Sequence, residues 1–349
     1  GSSQRPVVGA SGNADLTVKD LVVDGAARGT NNTSFAGVAY RDAGGEVNNV
    51  EIRDVRRPYT SAGPPPQVSG SQDGIGIYGF ATAGDHHLTI TDSEILGFQK
   101  TGVAVGSQYM SVEVTDNVIT CGGEQLTNAQ NGLQIGWGTS PAWYAVKSAI
   151  ATGNVMNGCQ YRGASVTNAG GVLLYHDGDA PGDVVFSNNS SNESDMGLYA
   201  AGVDLYSTIE ITDNEFLNVA SGNPAGVGVA IMGGNATFTG NTIDASGPGG
   251  PGQLGIYFGA NTTAAANGNS ITGAGFNVFN DSNEPVNAEN NWWGCNAGPG
   301  NPGCGDDDPA VDSDPWLVLK AVPTPANLTL DGSVTIDASI NSNSNGATA

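Results

Sequence analysis

The sequence predicts an all-β solenoid, and three observations carry that expectation. Apolar residues alternate in short runs such as Ile75-Gly76-Ile77-Tyr78, Val103-Ala104-Val105 and Val112-Glu113-Val114, each bounded by turn residues. No stretch sustains the i, i+3, i+4, i+7 pattern of a helix. A block of strand, turn, Asn and apolar residue recurs along the chain, and self-similarity of this kind marks stacked repeats. Gly and Pro together number 70 of 349 residues, a composition that disordered chains share. The 38% hydrophobic content and its regular alternation argue for a packed core instead.

The recurring block reads Val114-Thr115-Asp116-Asn117-Val118-Ile119, then Ile211-Thr212-Asp213-Asn214-Glu215-Phe216, then Phe238-Thr239-Gly240-Asn241-Thr242-Ile243. Weaker copies place Asn154, Asn189, Asn269 and Asn291 at the key position, and Ser93, Asp54 and Asp20 occupy it towards the N-terminus. Spacings of 22 to 39 residues describe about ten copies with elastic insertions. A second block starts with Gly and alternates apolar residues: Gly102-Val103-Ala104-Val105, Gly132-Leu133-Gln134-Ile135, Gly171-Val172-Leu173-Leu174-Tyr175 and Gly202-Val203-Asp204-Leu205-Tyr206 are examples. A unit with two or more such short strands cannot bury its apolar face alone, so copies must stack. An Asn at the same turn of every copy tolerates left-handed backbone and can hydrogen-bond up the column. Asn117, Asn154, Asn189, Asn214, Asn241, Asn269 and Asn291 are therefore expected to form a ladder.

These Asn-bearing turns and inward alternations resemble the right-handed parallel β-helix superfamily, the pectate-lyase-like fold, over residues 13–317. About ten coils at the ~4.8 Å strand spacing make a rod on the order of 48 Å long. Residues 1–12 are expected as an N-terminal leader or cap. The closing segment Asn290-Asn291-Trp292-Trp293-Gly294 and Asp312-Ser313-Asp314-Pro315-Trp316-Leu317 resembles the ends of bacterial β-helix surface proteins, with the Trp pair plugging the lumen. Residues 318–349 change in composition. Their strand-like runs Val322–Leu330 and Gly332–Ala338 resemble the opening of a bacterial immunoglobulin-like domain of the invasin type, too short to close a sandwich.

Charge restricts the partners. Eleven Lys and Arg stand against 34 Asp and Glu, a formal charge of −23, which excludes phosphate-rich nucleic acid and disfavours anionic membranes. No apolar run reaches transmembrane length. Cys121 follows Asn117 by four residues and Cys159 follows Asn154 by five, so stacked coils should bring the two sulfurs within disulfide reach. Cys295 and Cys304 bracket a loop beside the closing segment. Neither pair has companion residues at zinc spacing. Two disulfides point to an extracellular or cell-surface protein.

Function on a solenoid belongs to outward positions. Alternation from each Gly places Gly76, Tyr78, Ala104, Gln134, Leu173, Tyr175, Asp204, Tyr206, Tyr257, Asn277 and Phe279 on one outer face. Tyr78, Tyr175, Tyr206, Tyr257 and Phe279 would there contact a glycan or a neighbouring subunit, or merely pair across strands. His176, Asp177, Asp179 and Asp204 lie nearby as candidate catalytic groups, and Asp73, Asp85, His86 and His87 lie on earlier coils. Such carboxylates suit glycoside hydrolysis or, with their oxygen ligands, Ca2+; solvated loop charge is the competing reading. The signatures of the superfamily's enzymes are missing. Arg57-Pro58-Tyr59 lacks the flanking arginines of pectate lyases, and Asp-Asp within 306–308 is the sole fragment of the polygalacturonase set. Two functions remain open: a non-catalytic surface rod for adhesion or filament building, or a carbohydrate-active enzyme, whether hydrolase or lyase, on the aromatic face. The tail, if ordered, must lie on its own β-helix or on a neighbouring subunit, which would make a homo-oligomer.

Overall fold

A computed structural model describes residues 5–30, 34–136, 146–164, 167–175, 183–201, 208–220, 226–247, 253–324 and 333–348. Every element among them is a strand. Eleven strands form one parallel sheet, eighteen form a second, and two form a small antiparallel sheet at the end of the chain. In the 11-stranded sheet each strand pairs with the next coil's strand in parallel, as Thr101–Gly106 does with Asn131–Ile135. The 18-stranded sheet has two limbs: strands such as Met110–Thr115 precede the recurrent Asn, and strands such as Val118–Gln125 follow it. This arrangement is consistent with a parallel β-helix.

The two corners of the coil have different physical origins. At the first, Asn117, Asn154, Asn189, Asn214, Asn241, Asn269 and Asn291 are at most 2% exposed. Asn117 donates from its backbone N (3.1 Å) and its Nδ2 (3.0 Å) to Asn154 Oδ1. Asn154 does the same to Asn189 Oδ1, both at 2.9 Å. The pairing repeats through Asn214, Asn241 and Asn269 to Asn291. Each Nδ2 also donates to carbonyls, Asn189 to Ala151 O and Ser187 O at 2.9 Å. The residue before each column position has positive φ, from Asp116 (55°) and Gly153 (67°) to Asn188 (54°) and Gly240 (70°). Asp, Asn and Gly tolerate that geometry best, which explains their place in the repeat.

The column's N-terminal end differs from expectation. Ser93 belongs to it, accepting from Val50 N (3.1 Å) and donating its own N to Asn117 Oδ1 (3.0 Å). The two positions before it are Val50 and Leu21, not Asp54 and Asp20, for Leu21 pairs with Val50. Asp20 is the preceding left-handed residue, and Asp54 sits in a different turn, both with positive φ. Turn-forming residues serve both turns of the coil, so sequence spacing alone could not tell them apart.

The second corner is a column of Gly37, Gly76, Gly102, Gly132, Gly171, Gly197, Gly228 and Gly255. A Cβ on Gly102 would lie 2.4 Å from Ile119 Cγ2 and 2.8 Å from Gly132 O. A Cβ on Gly76 would lie 2.6 Å from Ile95 Cγ2 and 2.5 Å from Gly102 O. The glycines thus let the 11-stranded sheet close against side chains of the trailing limb. Between the sheets runs a lumen filled by rows such as Val38, Ile77, Val103, Leu133 and Val172, each unexposed.

At the C-terminal end the expected tryptophan pair is only half realised. Trp293 is fully buried in the core, Trp292 is half-buried outside that cluster, and Trp316 packs against the core in addition. Both cysteine pairs are bonded, Cys121–Cys159 across adjacent trailing strands and Cys295–Cys304 around the closing loop. The segment expected as leader or cap supplies Arg5–Ser11, the end strand of the 11-stranded sheet. The tail's strands are Leu317–Thr324 and Thr335–Asn343, antiparallel and mostly exposed.

Candidate functional site

The outward row of the 11-stranded sheet is fixed by register. It runs Ala39, Tyr78, Ala104, Gln134, Leu173, Tyr199, Ala230, Tyr257 and Phe279, one residue per strand. Six of the expected outward residues lie on it. Gly76 and Asn277 do not: Gly76 faces the trailing limb, and Asn277 is unexposed and donates to Ile271 O at 2.6 Å. The physical reason is a break in strict alternation at the glycine corner, where two successive residues approach the lumen.

One coil's strand was also misplaced by sequence. Two Gly-initiated runs compete there, Gly197-Leu198-Tyr199-Ala200 and Gly202-Val203-Asp204-Leu205-Tyr206. Met196–Ala201 is the strand, and it puts Tyr199 in the row. The missed signal was that Gly197 lies five residues past the strand Ser190–Asn192 and packs beneath Phe216. Asp204 and Tyr206 lie outside the described residues, as do His176, Asp177 and Asp179.

The row divides into a covered part and an open part. Ala39, Tyr78, Ala104 and Gln134 are no more than 9% exposed, and Tyr78 joins Ala36, Ile75 and Phe80 in a second apolar cluster. Burial pushes the Tyr78 hydroxyl up to about 12, against a smaller opposing pull from Arg41. Further along, Leu173, Tyr199, Tyr257 and Phe279 are half-buried, and Tyr175, one row away, is too. The Tyr257 and Phe279 rings stack with centroids 6.0 Å apart and planes 10° from parallel. Phe276 meets Phe279 edge-on at 5.6 Å. Tyr257 OH donates to Asp281 Oδ2 at 2.9 Å. Burial raises the Tyr257 hydroxyl first, and Asp281 adds to it; burial and then Tyr199 raise Tyr175. Phenols that stay protonated this firmly serve as hydrogen-bond donors beside flat apolar rings.

The other titratable residues singled out by sequence are engaged in local contacts. Asp73 accepts from Arg57 (3.2 Å) and Ser71 (2.7 Å). Lys147 bonds Asp85 at 2.6 Å and holds its carboxyl below the usual range. His86 is buried with Nε2 3.0 Å from Ala83 O, and His87 Nε2 lies 3.1 Å from Thr89 Oγ1. Among the described residues, no three His, Cys, Asp or Glu side chains converge as a cation site would require. The arrangement therefore offers an aromatic, hydrogen-bonding surface. Compared with protein-family models the sequence matches none, and compared with curated proteins it matches none. No helix among the described residues is long and apolar enough to cross a membrane. The two disulfides suit a non-reducing environment.

Proposed function

We propose that the chain is a right-handed parallel β-helical rod of about ten coils, its Asn column acting as a ladder, that is secreted and works at a cell surface. Its role in this reading is adhesive or structural, through contact of the open aromatic face with a glycan. The observation that carries it is the Tyr257–Phe279 stack, half-exposed beside the half-buried Tyr199 and Tyr175 on a flat sheet. Rings held parallel by strand register present a pre-ordered apolar surface to the C–H face of a sugar; the Tyr199 and Tyr175 phenols supply donors for its hydroxyls, and Tyr257, which donates to Asp281, supplies an acceptor. Pre-ordering lowers the entropy lost on binding. The alternative, a carbohydrate-active enzyme on the same face, would draw its acid and base from His176, Asp177, Asp179 and Asp204.

Electrophoresis through gels containing soluble plant or bacterial polysaccharides tests the reading. The native chain should be retarded by at least one glycan, and Tyr257→Ala and Phe279→Ala should each remove most of the retardation while leaving the melting temperature close to native. Unchanged mobility on every glycan would discard the carbohydrate partner. Reducing-sugar release that Asp204→Asn abolishes would replace adhesion with catalysis.

A further inference from the structure

The two ends of the molecule differ in charge and match in register. Residues 1–57 hold seven of the eleven Lys and Arg with seven of the 34 acids, so the whole charge of −23 lies beyond them. Residues 281–349 hold ten acids against Lys320 alone. At the N-terminal end Arg5, Arg28 and Arg56 line a cavity of about 240 Å3 walled by Phe35 and Val55. Arg56 pairs with Asp54 at 2.7 Å, yet its buried Nε has no partner. Neither Arg5 nor Arg28 pairs with a carboxylate among the described residues. In a chain with three acids per base, guanidinium groups left without carboxylates call for an anionic partner.

At the same end, no described strand pairs with the outer edge of Arg5–Ser11 or of Asp15–Asp24. Arg5–Ser11 and Asp15–Asp24 are end strands, and Val7, Leu21 and Val22 on them are 55%, 43% and 50% exposed. Bare edges of this length template further pairing. At the opposite end the last strands are acidic and short, Asp306–Asp307 and Val311–Asp312. Asp307 closes the row that Val8 opens in the 11-stranded sheet. Asp312 closes the row that Thr17 opens in the other. On the third side, Leu317 donates its N to Asn291 O, which gives it the position after the column residue that Val22 holds at the start.

We propose that the N-terminal end of one copy receives the C-terminal end of a second, so that the sheets continue from copy to copy. Such a step sets Asp306 over Pro6, next to Arg5, Asp307 over Val8, Asp312 over Thr17, two residues from Lys19, and Leu317 over Val22. The contact is heterologous and does not close, so it propagates as a filament. It rests on the reading of the chain as a structural rod and names that rod's partner as a second copy of itself.

Sedimentation velocity of the full chain across a concentration series, in low and in high salt, tests it. The native protein should grow past the dimer in low salt and return to monomer in high salt, because the exposed charges are screened. Arg5→Glu with Arg28→Glu should stay monomeric, and so should Asp306→Lys with Asp312→Lys. None of these four side chains makes an ion pair among the described residues, so near-native melting temperatures are expected of both variants. Mixing the two variants should restore growth, since each head then meets a tail of opposite charge. A native chain that is monomeric throughout, a dimer that grows no further, or variants that polymerise like the native protein would each overturn the proposal. Glycan retardation in the gel assay is read on monomers as well, so its outcome separates a failed filament from a failed rod.

Discussion

The asparagine corner and the glycine corner recur with the same period yet tolerate change in opposite ways. At the asparagine corner the side chain is required for what it bonds: from Asn154 onward each Oδ1 accepts twice from the preceding coil, Asn117 Oδ1 accepts once from Ser93, and the Nδ2 groups donate to backbone carbonyls. The column accordingly tapers: Ser93 makes part of the pattern, Val50 joins it through its backbone N alone, and Leu21 pairs with Val50. At the glycine corner the side chain is required to be missing. The penultimate strand of that sheet, Phe276–Asn280, breaks the column with Asn277, and there Asn277 Oδ1 and Trp293 Nε1 are both buried without a partner. A hydrogen-bonded column degrades by steps, whereas a steric column has no intermediate substitute.

The largest expected effect comes from the middle of the first column. Asn189→Ala removes both bonds accepted from Asn154 and strands the carbonyls of Ala151 and Ser187. At roughly 1–3 kcal/mol for each orphaned buried group, a loss of about 4–5 kcal/mol is expected in urea unfolding. A loss under about 1 kcal/mol would show that water enters the corner. Breaking the staple on the limb between the corners comes next. Replacing Cys121 and Cys159 together by Ala frees a separation of 38 residues, for which loop-closure entropy gives about 3–4 kcal/mol. The Asn column and the Gly column are both untouched, so native-like circular dichroism is expected below the lowered midpoint.

Gly102→Ala sharpens the contrast. Its Cβ would stand 2.4 Å from Ile119 Cγ2, and about 2–3 kcal/mol is expected for overpacking. Pairing it with Ile119→Ala should recover part of that loss, which a purely conformational cost at Gly102 would not allow. Asn189→Ser, by contrast, should cost only about 1–2 kcal/mol, because a hydroxyl can accept as Ser93 does.

The smallest effect is a pH dependence beside the glycine corner. Lys100 is half-buried, donates to Ala129 O, and is pushed down to about 8 by desolvation. Above that pH the unfolded chain holds a proton that the folded chain has released, so stability should rise with pH from about 8 towards the ordinary Lys value. Tyr78, raised to about 12, acts in the opposite sense from about pH 10 upward. Urea midpoints measured from pH 7 to 10 should therefore climb, and Lys100→Met should flatten the curve.

Much of the architecture could be read from residue order because its causes are local and repeated. Asp116-Asn117 and Asp213-Asn214 name their turn by chemistry: a residue at ease with positive φ, then an amide able to give and accept. Seven such amides in register imply parallel stacking, and stacking brings Cys121 to Cys159. What residue order left open depends on neighbours one coil away. Whether Asp54 or Val50 stands in the column, and whether Tyr199 joins the outward row, was decided by which carbonyl and which side chain of the adjacent coil lay opposite. Exposure was decided the same way. Tyr78 and Tyr257 hold equivalent places in the repeat, yet Tyr78 is buried in a cluster that includes Ala36, Ala39 and Ala104 of the neighbouring coils, while Tyr257 opens to solvent against Phe279 and Asp281. Periodicity sets which way a side chain points, but only the packed chain determines what lies above it, because cover comes from residues distant in sequence.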